Sequence, residues 1–328
     1  MFDVVTFGET MVRFAAPNFR RLEQCTNLEV TVGGAEQNVA TGVARLGLSA
    51  AWISRLPDNS LGRMARNKAS EFGVDTSYVV WTSQDRMGLY FVEYGAAPRA
   101  SSVLYDRDAS AISHIQPDEV NWDGALKGAR LFHTTGITPA LSDSAAAAVG
   151  EAMKKAKSHS CLVSYDLNYR GKLWSPEKAR KLQEPLMKMV DILSTTEEDT
   201  EVVFGVKGSN YVDVAKKLID RFGFKVVTIT IRGTPSVWRN SWTAIAVDQA
   251  GNVYDDVTYD IEVVDRIGGG DAYTAGFLYG YLTKGVADGV RYGNAFSALK
   301  QTSWGDFNWA TLQEVEKLMK SPGLRIAR

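Results

Sequence analysis

Asp265-Arg266-Ile267-Gly268-Gly269-Gly270-Asp271-Ala272-Tyr273-Thr274-Ala275-Gly276-Phe277, near the end of the chain, is its most informative stretch. Three glycines lead into an aspartate, and small and aromatic residues follow at helical spacing. Glycines expose successive backbone N–H groups at the start of a helix, where the helix macrodipole also favours negative charge. The stretch therefore predicts an anion-binding turn with Asp271 at its rim.

The carboxylate of Asp271 indicates what such a turn would do. A carboxylate normally avoids a bound anion, so its position suggests a base that acts on a second reactant, as when a hydroxyl attacks a phosphoryl group. The residues alone leave open a second interpretation, a tight glycine turn with Asp271 as a helix cap. A dinucleotide-binding turn fits less well because the run is not G-x-G-x-x-G. The chain contains no G-x-x-x-x-G-K-[ST], which excludes a P-loop.

The composition is that of an ordinary soluble enzyme or binding protein. The 328 residues are 45% hydrophobic and 23% charged, and 37 basic against 38 acidic residues give a net charge of −1. Since no charge excess draws the chain toward nucleic acid or an anionic membrane, we expect neither partner. Any anion must be held by a local site.

Cysteine and histidine spacing predicts neither a disulfide framework nor a His/Cys metal centre. Cys25 and Cys161 are isolated, and the three histidines show no ligand spacing. The N-terminus lacks a basic region before an apolar stretch, and no run approaches the roughly 20 apolar residues of a membrane span. We expect a cytoplasmic protein.

Strand and helix patterns alternate along most of the chain. Apolar and β-branched runs predict strands, and periodic apolar residues with caps predict helices. The predicted strands are 3–8, 51–54, 131–134, 161–165 and 226–231, and the predicted helices are 35–47, 62–73, 143–157, one from 175, and those from 271 to the end. This alternation implies one α/β domain, 1–328, with a mainly parallel sheet and helices on both faces. Ligands bind beyond the carboxyl ends of such strands.

Two further segments predict antiparallel pairing. Residues 89–94 and 102–105 are aromatic and β-branched, which predicts a small sheet that covers the site as a lid. The region 243–264 predicts a hairpin around Gly251-Asn252.

Three candidate ligand contacts lie outside the glycine run. Gly33 and Gly34 precede a helix with Asn38 one turn inside, which suits close approach by a hydroxylated ligand; the alternative is a loop and a solvent-facing amide. Arg170 follows the strand 161–165 and so lies at a carboxyl end, although most lone arginines are simply surface residues.

Tyr105 and Arg107 share one face of a predicted strand. A guanidinium beside a phenol suits a carboxylate or phosphate ligand, because the guanidinium can donate two parallel hydrogen bonds to two oxygens of that ligand. The alternative is a cross-strand ion pair of Arg107 with Asp106 or Asp108.

Together these motifs resemble the ribokinase-like (PfkB) carbohydrate kinases. One signature runs from Gly33 through Asn38 to Gly47 and the other spans 265–277, and the resemblance covers nearly the whole chain. The runs 88–107 and 168–174 look like those of the 2-keto-3-deoxygluconate kinases in that family. The resemblance implies a ribokinase-like α/β fold, with a β-sheet lid built from strands within about 10–32 and 86–112. Pairing of family members through the lid implies a homo-oligomer.

The resemblance also implies roles for individual residues. Asp271 would be the base for the terminal hydroxyl, and the backbone N–H groups around Gly268, Gly269 and Gly270 would stabilise the transferring phosphoryl group. The implied sugar-acid contacts are Gly34, Asn38, Tyr90, Tyr105, Arg107, Arg170 and Asp306. The implied ATP contacts are Asn168, Thr196, Thr230, Arg232, Gly233, Gly268, Gly270 and Asn294. Mg²⁺ would be held mainly by ATP phosphates, with Asp199 as a candidate ligand.

The two arginines Arg107 and Arg170 favour a sugar acid, because a neutral sugar needs no such charge. The expected reaction is therefore ATP-dependent phosphorylation of 2-keto-3-deoxygluconate at its terminal hydroxyl, to the 6-phosphate. The alternatives are a kinase of 2-keto-3-deoxygalactonate, fructose or ribose, and a silent regulator that binds sugar or nucleotide. Two segments depart from the common family pattern: 196–199, where many members carry Asn-x-x-Glu, and the expected nucleotide loop 230–235.

Overall fold

Short β-branched and apolar runs form fifteen strands in the computed structural model, which describes residues 1–320. In chain order the strands are β1 (Val4–Phe7), β2 (Met11–Ala15), β3 (Glu29–Gly33), β4 (Ala50–Ile53), β5 (Arg55–Pro57), β6 (Val80–Thr82), β7 (Gly88–Glu93), β8 (Ser102–Asp106), β9 (Leu131–Thr135), β10 (Leu162–Asp166), β11 (Ile192–Thr195), β12 (Val226–Ser236), β13 (Arg239–Asp248), β14 (Val253–Tyr254) and β15 (Tyr259–Glu262).

Ten α-helices connect or follow these strands within the described range. They are α1 (Ala35–Arg45), α2 (Ser60–Glu71), α3 (Trp122–Leu126), α4 (Asp143–Ser158), α5 (Pro176–Met187), α6 (Glu197–Phe204), α7 (Tyr211–Phe222), α8 (Gly269–Lys284), α9 (Val286–Lys300) and α10 (Leu312–Lys320). No helix among residues 1–320 is long and apolar enough to cross a membrane.

The main sheet has nine strands in the order β14-β13-β12-β11-β10-β9-β1-β4, with β15 paired to β13. The strands from β4 to β12 in this order pair in parallel, and β13 runs antiparallel to β12. The carboxyl ends of the parallel strands therefore lie along one edge. The polar residues that follow β1, β9, β10 and β11 meet there.

Alternation of side chains along the strands places apolar residues on both faces of the main sheet. Val4 belongs to one buried cluster and Val5 to another, because successive strand residues point to opposite faces. Helices α3 to α7 contribute to the cluster of Val5, and α1, α2, α8, α9 and α10 to the cluster of Val4. This confirms the predicted mainly parallel sheet covered by helices on both faces.

A second sheet has four strands in the order β3-β2-β7-β8. β2 and β7 pair in parallel and the outer two pairs are antiparallel. The strands β7 and β8 coincide with the predicted segments 89–94 and 102–105. Tyr90 is buried, whereas most of β8 is exposed, so one side of this sheet packs inward and its outer edge faces solvent.

The structure corrects several predicted boundaries. The expected nucleotide loop 230–235 belongs to strand β12, which pairs with β13 as far as Gly233 and again at Ser236 across an irregularity. β13 begins at Arg239, ahead of the hairpin predicted from 243. Asp166 ends β10 rather than following it. The predicted helical tail is interrupted between α9 and α10, and its residues 321–328 lie outside the described range.

Close helix packing gives a test of this fold. Helix α8 packs against α9 at Gly276, where an added Cβ would lie 2.6 Å from the Tyr292 carbonyl oxygen. Gly276→Ala should therefore lower the free energy of unfolding by about 1–3 kcal/mol through overpacking. Urea unfolding measures this change.

Gly150→Ala in α4 is the matched control. An added Cβ there finds its nearest neighbour, Leu186 Cδ2, at 3.8 Å. With room for the methyl group, the helix should gain about 0.5–1 kcal/mol. A Gly276→Ala protein that unfolds at the same urea concentration as the unmodified chain would contradict the packing described here.

Candidate active site

A cavity of about 310 Å³ lies where the carboxyl edge of the main sheet meets the four-stranded sheet. It is lined by sixteen of the residues that the sequence analysis singled out: Gly34, Asn38, Tyr90, Tyr105, Arg107, Asn168, Arg170, Thr196, Asp199, Thr230, Arg232, Gly268, Gly269, Gly270, Asp271 and Asp306. Segments far apart in the chain thus meet at one place.

The glycine run forms the start of helix α8. Gly268 has a left-handed φ of 81°, and a Cβ on it would collide with the carbonyl oxygen of Asp306. The Gly269 N–H donates to the Arg266 carbonyl at 3.1 Å. Within the described residues, the N–H groups of Gly270 and Asp271 have no such backbone acceptor, and Gly270 faces open space. These two N–H groups are therefore available to donate to a ligand at the start of α8.

Asp271 stands in the first turn of α8, and Asn38 in α1 contacts it directly. Asn38 Nδ2 donates a hydrogen bond to Asp271 Oδ2 at 2.6 Å. Burial raises the pKa of Asp271 to about 6; the bond from Asn38 opposes this rise, and the negative charge of Asp306 adds to it. Asp271 is therefore ionised above about pH 6 and accepts protons close to neutrality.

The first glycine motif brings α1 close to the end of β1. A Cβ on Gly34 would collide with the carbonyl oxygen of Glu9, so the close approach of these two backbones requires glycine. The sequence assigned Asn38 to a ligand hydroxyl, and the structure adds its bond to Asp271. Asn38 therefore joins the two glycine motifs.

Arg107 is 8% exposed and forms an ion pair with buried Glu9. Glu9 also accepts a hydrogen bond from Ser110 Oγ at 2.7 Å. The expected alternative, a pair of Arg107 with Asp106 or Asp108, is wrong, because Asp106 pairs with Arg86 at 2.7 Å. Glu9 balances the charge of Arg107, whose Nε has no hydrogen-bond partner among the described residues.

Arg170, in contrast, is exposed to the cavity. It forms no salt bridge within residues 1–320, and its Nη1 donates to the carbonyl of Tyr169 at 3.1 Å. Arg170 follows a turn in which Asn168 adopts a left-handed φ of 40° and donates to Asp166 Oδ2 at 3.1 Å. This turn sets Arg170 at the carboxyl end of β10, as predicted.

Asp166 and Asp199 form an acidic side of the cavity. Burial, with repulsion from Asp271 and Asp199, raises the pKa of Asp166 to about 8. Burial likewise raises the pKa of Asp199. The positive charge of Arg170 opposes both shifts, but neither carboxylate forms a salt bridge within residues 1–320. Within residues 1–320, no group of three or more His, Cys, Asp or Glu side chains could hold a metal ion by itself.

Two arginines face the cavity near the end of β12. Arg232 belongs to β12 and Arg266 to the segment before the glycine run. Neither forms a salt bridge among the described residues. Burial and the neighbouring Arg232 lower the pKa of Arg266, which reflects two like charges close together.

Gly233 and Asn294 are not brought to the cavity. The Gly233 N–H donates to Ser241 Oγ at 3.1 Å within the β12–β13 pair. Asn294 lies in α9 with a fully buried side chain. Helix α9 packs against α8, which keeps Asn294 away from the site.

Sequence reasoning missed several polar residues in or beside the site. Glu9, Glu36, Asp166 and Arg266 line the cavity, and Arg13 is buried against Asp306, which also lines it. Glu36, for example, accepts hydrogen bonds from the N–H and hydroxyl of Thr135 and from the hydroxyl of Thr138. Burial raises its pKa to about 7. Only the positions of these residues in the sequence could have indicated a role in the site, since Glu36 follows the first glycine pair and Asp166 ends a strand.

Comparison with known proteins gives one family. Residues 1–308 match the model of the pfkB family of carbohydrate kinases. The 2-dehydro-3-deoxygalactonokinase of Haloferax volcanii is 38% identical over 327 residues, which is 99% of each chain. The 5-dehydro-2-deoxygluconokinase of Bacillus subtilis is 27% identical over 98% of this chain and 96% of its own.

Among solved structures, the 2-dehydro-3-deoxygluconokinase of Thermotoga maritima has a TM-score of 0.94 and 38% identity. The match covers 97% of this chain and 98% of that one. These comparisons confirm the predicted fold class.

The contact between Asn38 and Asp271 gives a prediction for the site. Asn38→Ala removes a hydrogen bond to the charged form of Asp271, so the pKa of Asp271 should rise by about one unit. Titration of ¹³C-labelled aspartate carboxyls by NMR measures this pKa. Asn67→Ala, which alters α2 outside the cavity, is the control. An Asp271 pKa that stays at its original value would show that the bond is absent in solution.

Proposed function

Since the chain belongs to the pfkB family of carbohydrate kinases, we propose that it transfers the γ-phosphoryl group of ATP to the terminal hydroxyl of 2-keto-3-deoxygluconate, giving the 6-phosphate. The observation that carries the proposal is Asp271 beside the two free N–H groups at the start of α8. This arrangement supports a base beside an anion-binding turn, in a cavity that also contains the guanidinium of Arg170, which forms no salt bridge within residues 1–320.

The transfer uses Asp271 as a general base. Its carboxylate takes the proton of the sugar hydroxyl as that oxygen forms a bond to the γ-phosphorus, and the bond from phosphorus to the bridging oxygen of ADP breaks. Charge on the transferring group meets the N–H groups of Gly270 and Asp271 at the helix start. In a similar setting, removing one such donor costs about 10²–10³ in kcat.

ATP is the co-substrate that a kinase of this family implies, and the cavity suits its phosphates. Arg232 and Arg266 present guanidinium groups that no carboxylate among the described residues neutralises, while Asn168, Thr196 and Thr230 line the same cavity. Gly233 and Asn294 lie outside it, so we do not propose that they contact the nucleotide.

The acidic side of the cavity fits a divalent cation bound with those phosphates. Asp166 and Asp199 are buried carboxylates with raised pKa values, which a cation would stabilise in their charged form. Mg²⁺ supplies neutralisation of phosphate charge and would be held mainly by phosphate oxygens, with Asp199 as a protein ligand.

Arg170 is the group proposed to bind the carboxylate of the sugar acid. Arg107, balanced by Glu9, contributes hydrogen-bond donors rather than net charge. The hydroxyls of the sugar would meet the other polar groups of the cavity, those of Gly34, Asn38, Tyr90, Tyr105 and Asp306. The second candidate function is phosphorylation of 2-keto-3-deoxygalactonate, which the Haloferax volcanii relative favours by its name.

A panel of acceptors tests the substrate class. ADP release is followed by a coupled dehydrogenase assay with four acceptors: the two keto-deoxy acids, fructose and ribose. The two acids should show the larger kcat/KM, because the neutral sugars leave Arg170 without its partner. Arg170→Met should remove most of this preference. A higher kcat/KM for fructose or ribose than for either acid would contradict the proposed sugar-acid substrate.

Replacement of the base tests the mechanism. Asp271→Asn should lower kcat by about 10²–10⁴ because no carboxylate then accepts the proton. Calorimetric binding of ATP should persist, since the turn is intact. Asp143→Asn, at an exposed position of α4, is the control. ATP binding without turnover in the unmodified chain would instead favour a silent regulator.

Pairing of two chains through the four-stranded sheet is a further part of the proposal. Val30 and Leu104 are 46% and 61% exposed on its outer strands. Such exposed apolar groups suit an interface. Leu104→Lys should therefore yield a monomer where the unmodified chain is a dimer, as measured by light scattering. A monomeric unmodified chain would contradict this pairing.

A further inference from the structure

Arg13, in strand β2 of the four-stranded sheet, lies at the centre of a buried ionic network. Its side chain is 1% exposed. Nη1 lies 2.6 Å from Asp306 Oδ1 and Nη2 lies 2.5 Å from Asp265 Oδ2. Two tyrosines of β7 and its end complete the network: Tyr94 OH donates to Asp265 Oδ2 at 2.9 Å, and Tyr90 OH to Asp306 Oδ1 at 2.7 Å.

Asp265 connects this network to the anion-binding turn. Its Oδ1 accepts the N–H of Ile267 at 3.0 Å, and its Oδ2 accepts the N–H of Gly305 at 3.2 Å. These bonds fix the segment that leads directly into Gly268, whose left-handed conformation begins α8. The position of the free N–H groups of the turn therefore depends on Asp265.

Asp306 connects the same network to the sugar side of the cavity. Its carboxylate lines the cavity, and its Oδ2 lies so close to Gly33 that a Cβ there would collide with it. Its carbonyl oxygen lies equally close to Gly268. Asp306 is thus packed between the two glycine motifs, and Arg13 holds it there.

We propose that Arg13 is a positioning residue that ties the sugar-binding sheet to the phosphoryl-binding turn, so that acceptor hydroxyl and phosphoryl group are held in register. The inference rests on the proposed function, since it concerns the same reaction. Arg13 lies outside the cavity lining within the described residues and acts through Asp265 and Asp306.

The chemistry of the side chain supports this role. A guanidinium offers five donors in a rigid fork, so one Arg13 can bond two carboxylates on different elements at once. An ammonium is a point charge on a flexible stem and cannot hold the same two angles. The two carboxylates are only 1% and 5% exposed, and Arg13 lies between them and offsets their mutual repulsion. The fully buried Lys300, whose Nζ donates to the Asp265 carbonyl at 3.0 Å, supplies a second positive charge.

Kinetics of Arg13→Met and Arg13→Lys test the proposal on the acceptor identified by the panel above. A displacement of about 1 Å between reacting groups costs about 100-fold in rate, so Arg13→Met should lower kcat by about that factor. Its KM for the sugar acid should also rise, and its KM for ATP should stay unchanged. Arg13→Lys should recover part of kcat. A merely structural role would reduce the amount of active enzyme and leave both KM values as they were.

Arg55→Met is the matched control. Arg55 is also a partly buried arginine between two carboxylates, Asp85 and Glu119, and it lies outside the cavity lining. Its loss should lower the melting temperature without changing kcat or either KM. The double variant Arg13→Met/Asp265→Asn leaves the buried Lys300 to balance Asp306, so its stability should recover while its kcat stays low.

Hydrogen exchange gives a readout independent of turnover. Amides of 266–271 should exchange faster in Arg13→Met than in the unmodified chain, and at the original rate in Arg55→Met. Unchanged exchange in this segment, or recovery of full kcat together with stability in the double variant, would overturn the role of Arg13. Failure of the proposed function would appear differently, as an unmodified chain inactive on sugar acids.

Discussion

Burial of carboxylates at the carboxyl edge of the main sheet is the constraint on which the rest of the site depends. A charge removed from water costs several kcal/mol unless cations or hydrogen-bond donors compensate it. Arg13 and the buried Lys300 together balance Asp265 and Asp306, and Arg107 pairs with Glu9. Two threonines donate to Glu36, although burial still raises its pKa to about 7. These pairs hold the two glycine motifs and the four-stranded sheet around the cavity.

Asp166, Asp199 and Asp271 form no salt bridge within residues 1–320, and the charge of Arg170 only partly offsets the rise in their pKa values. Asp271 has one amide donor, from Asn38, while the pKa values of Asp166 and Asp199 are also raised. A base needs a pKa close to neutrality to be both ionised and able to accept a proton. Incomplete compensation supplies this for Asp271, and it leaves Asp166 and Asp199 suited to a cation that arrives with phosphates.

The sequence predicted the parts of the molecule that depend on local conformation. The glycine turn that begins α8, the helix α1 after Gly34 and the strand before Arg170 each have a signal within a few residues. Arg13 had none, because its two carboxylate partners lie 252 and 293 residues away in the chain.

Contacts between residues far apart in the chain also explain the predictions that were wrong. Residues 230–235 have the glycine and proline of a loop, yet pairing with β13 makes them part of β12. The partner of Arg107 was sought among neighbours in sequence, whereas Glu9 comes from the end of β1. Whether a given polar residue reaches the cavity depends on the packing of whole elements, as the burial of Asn294 between helices shows.

Contacts between distant elements also explain why membership of the family does not identify which sugar acid is the substrate. The named substrates of the relatives are all deoxy sugar acids, so a carboxylate for Arg170 is common to them. Gluconate and galactonate types differ in the direction of one hydroxyl, which must meet a neutral donor or acceptor such as Asn38, Tyr90 or Tyr105. A site that hydrogen-bonds a hydroxyl can discriminate strongly, because the wrong substrate leaves a buried polar group unpaired. In the proposed site, selectivity between epimers would therefore come from the neutral groups of α1 and the four-stranded sheet, whereas the proposed chemistry uses the start of α8.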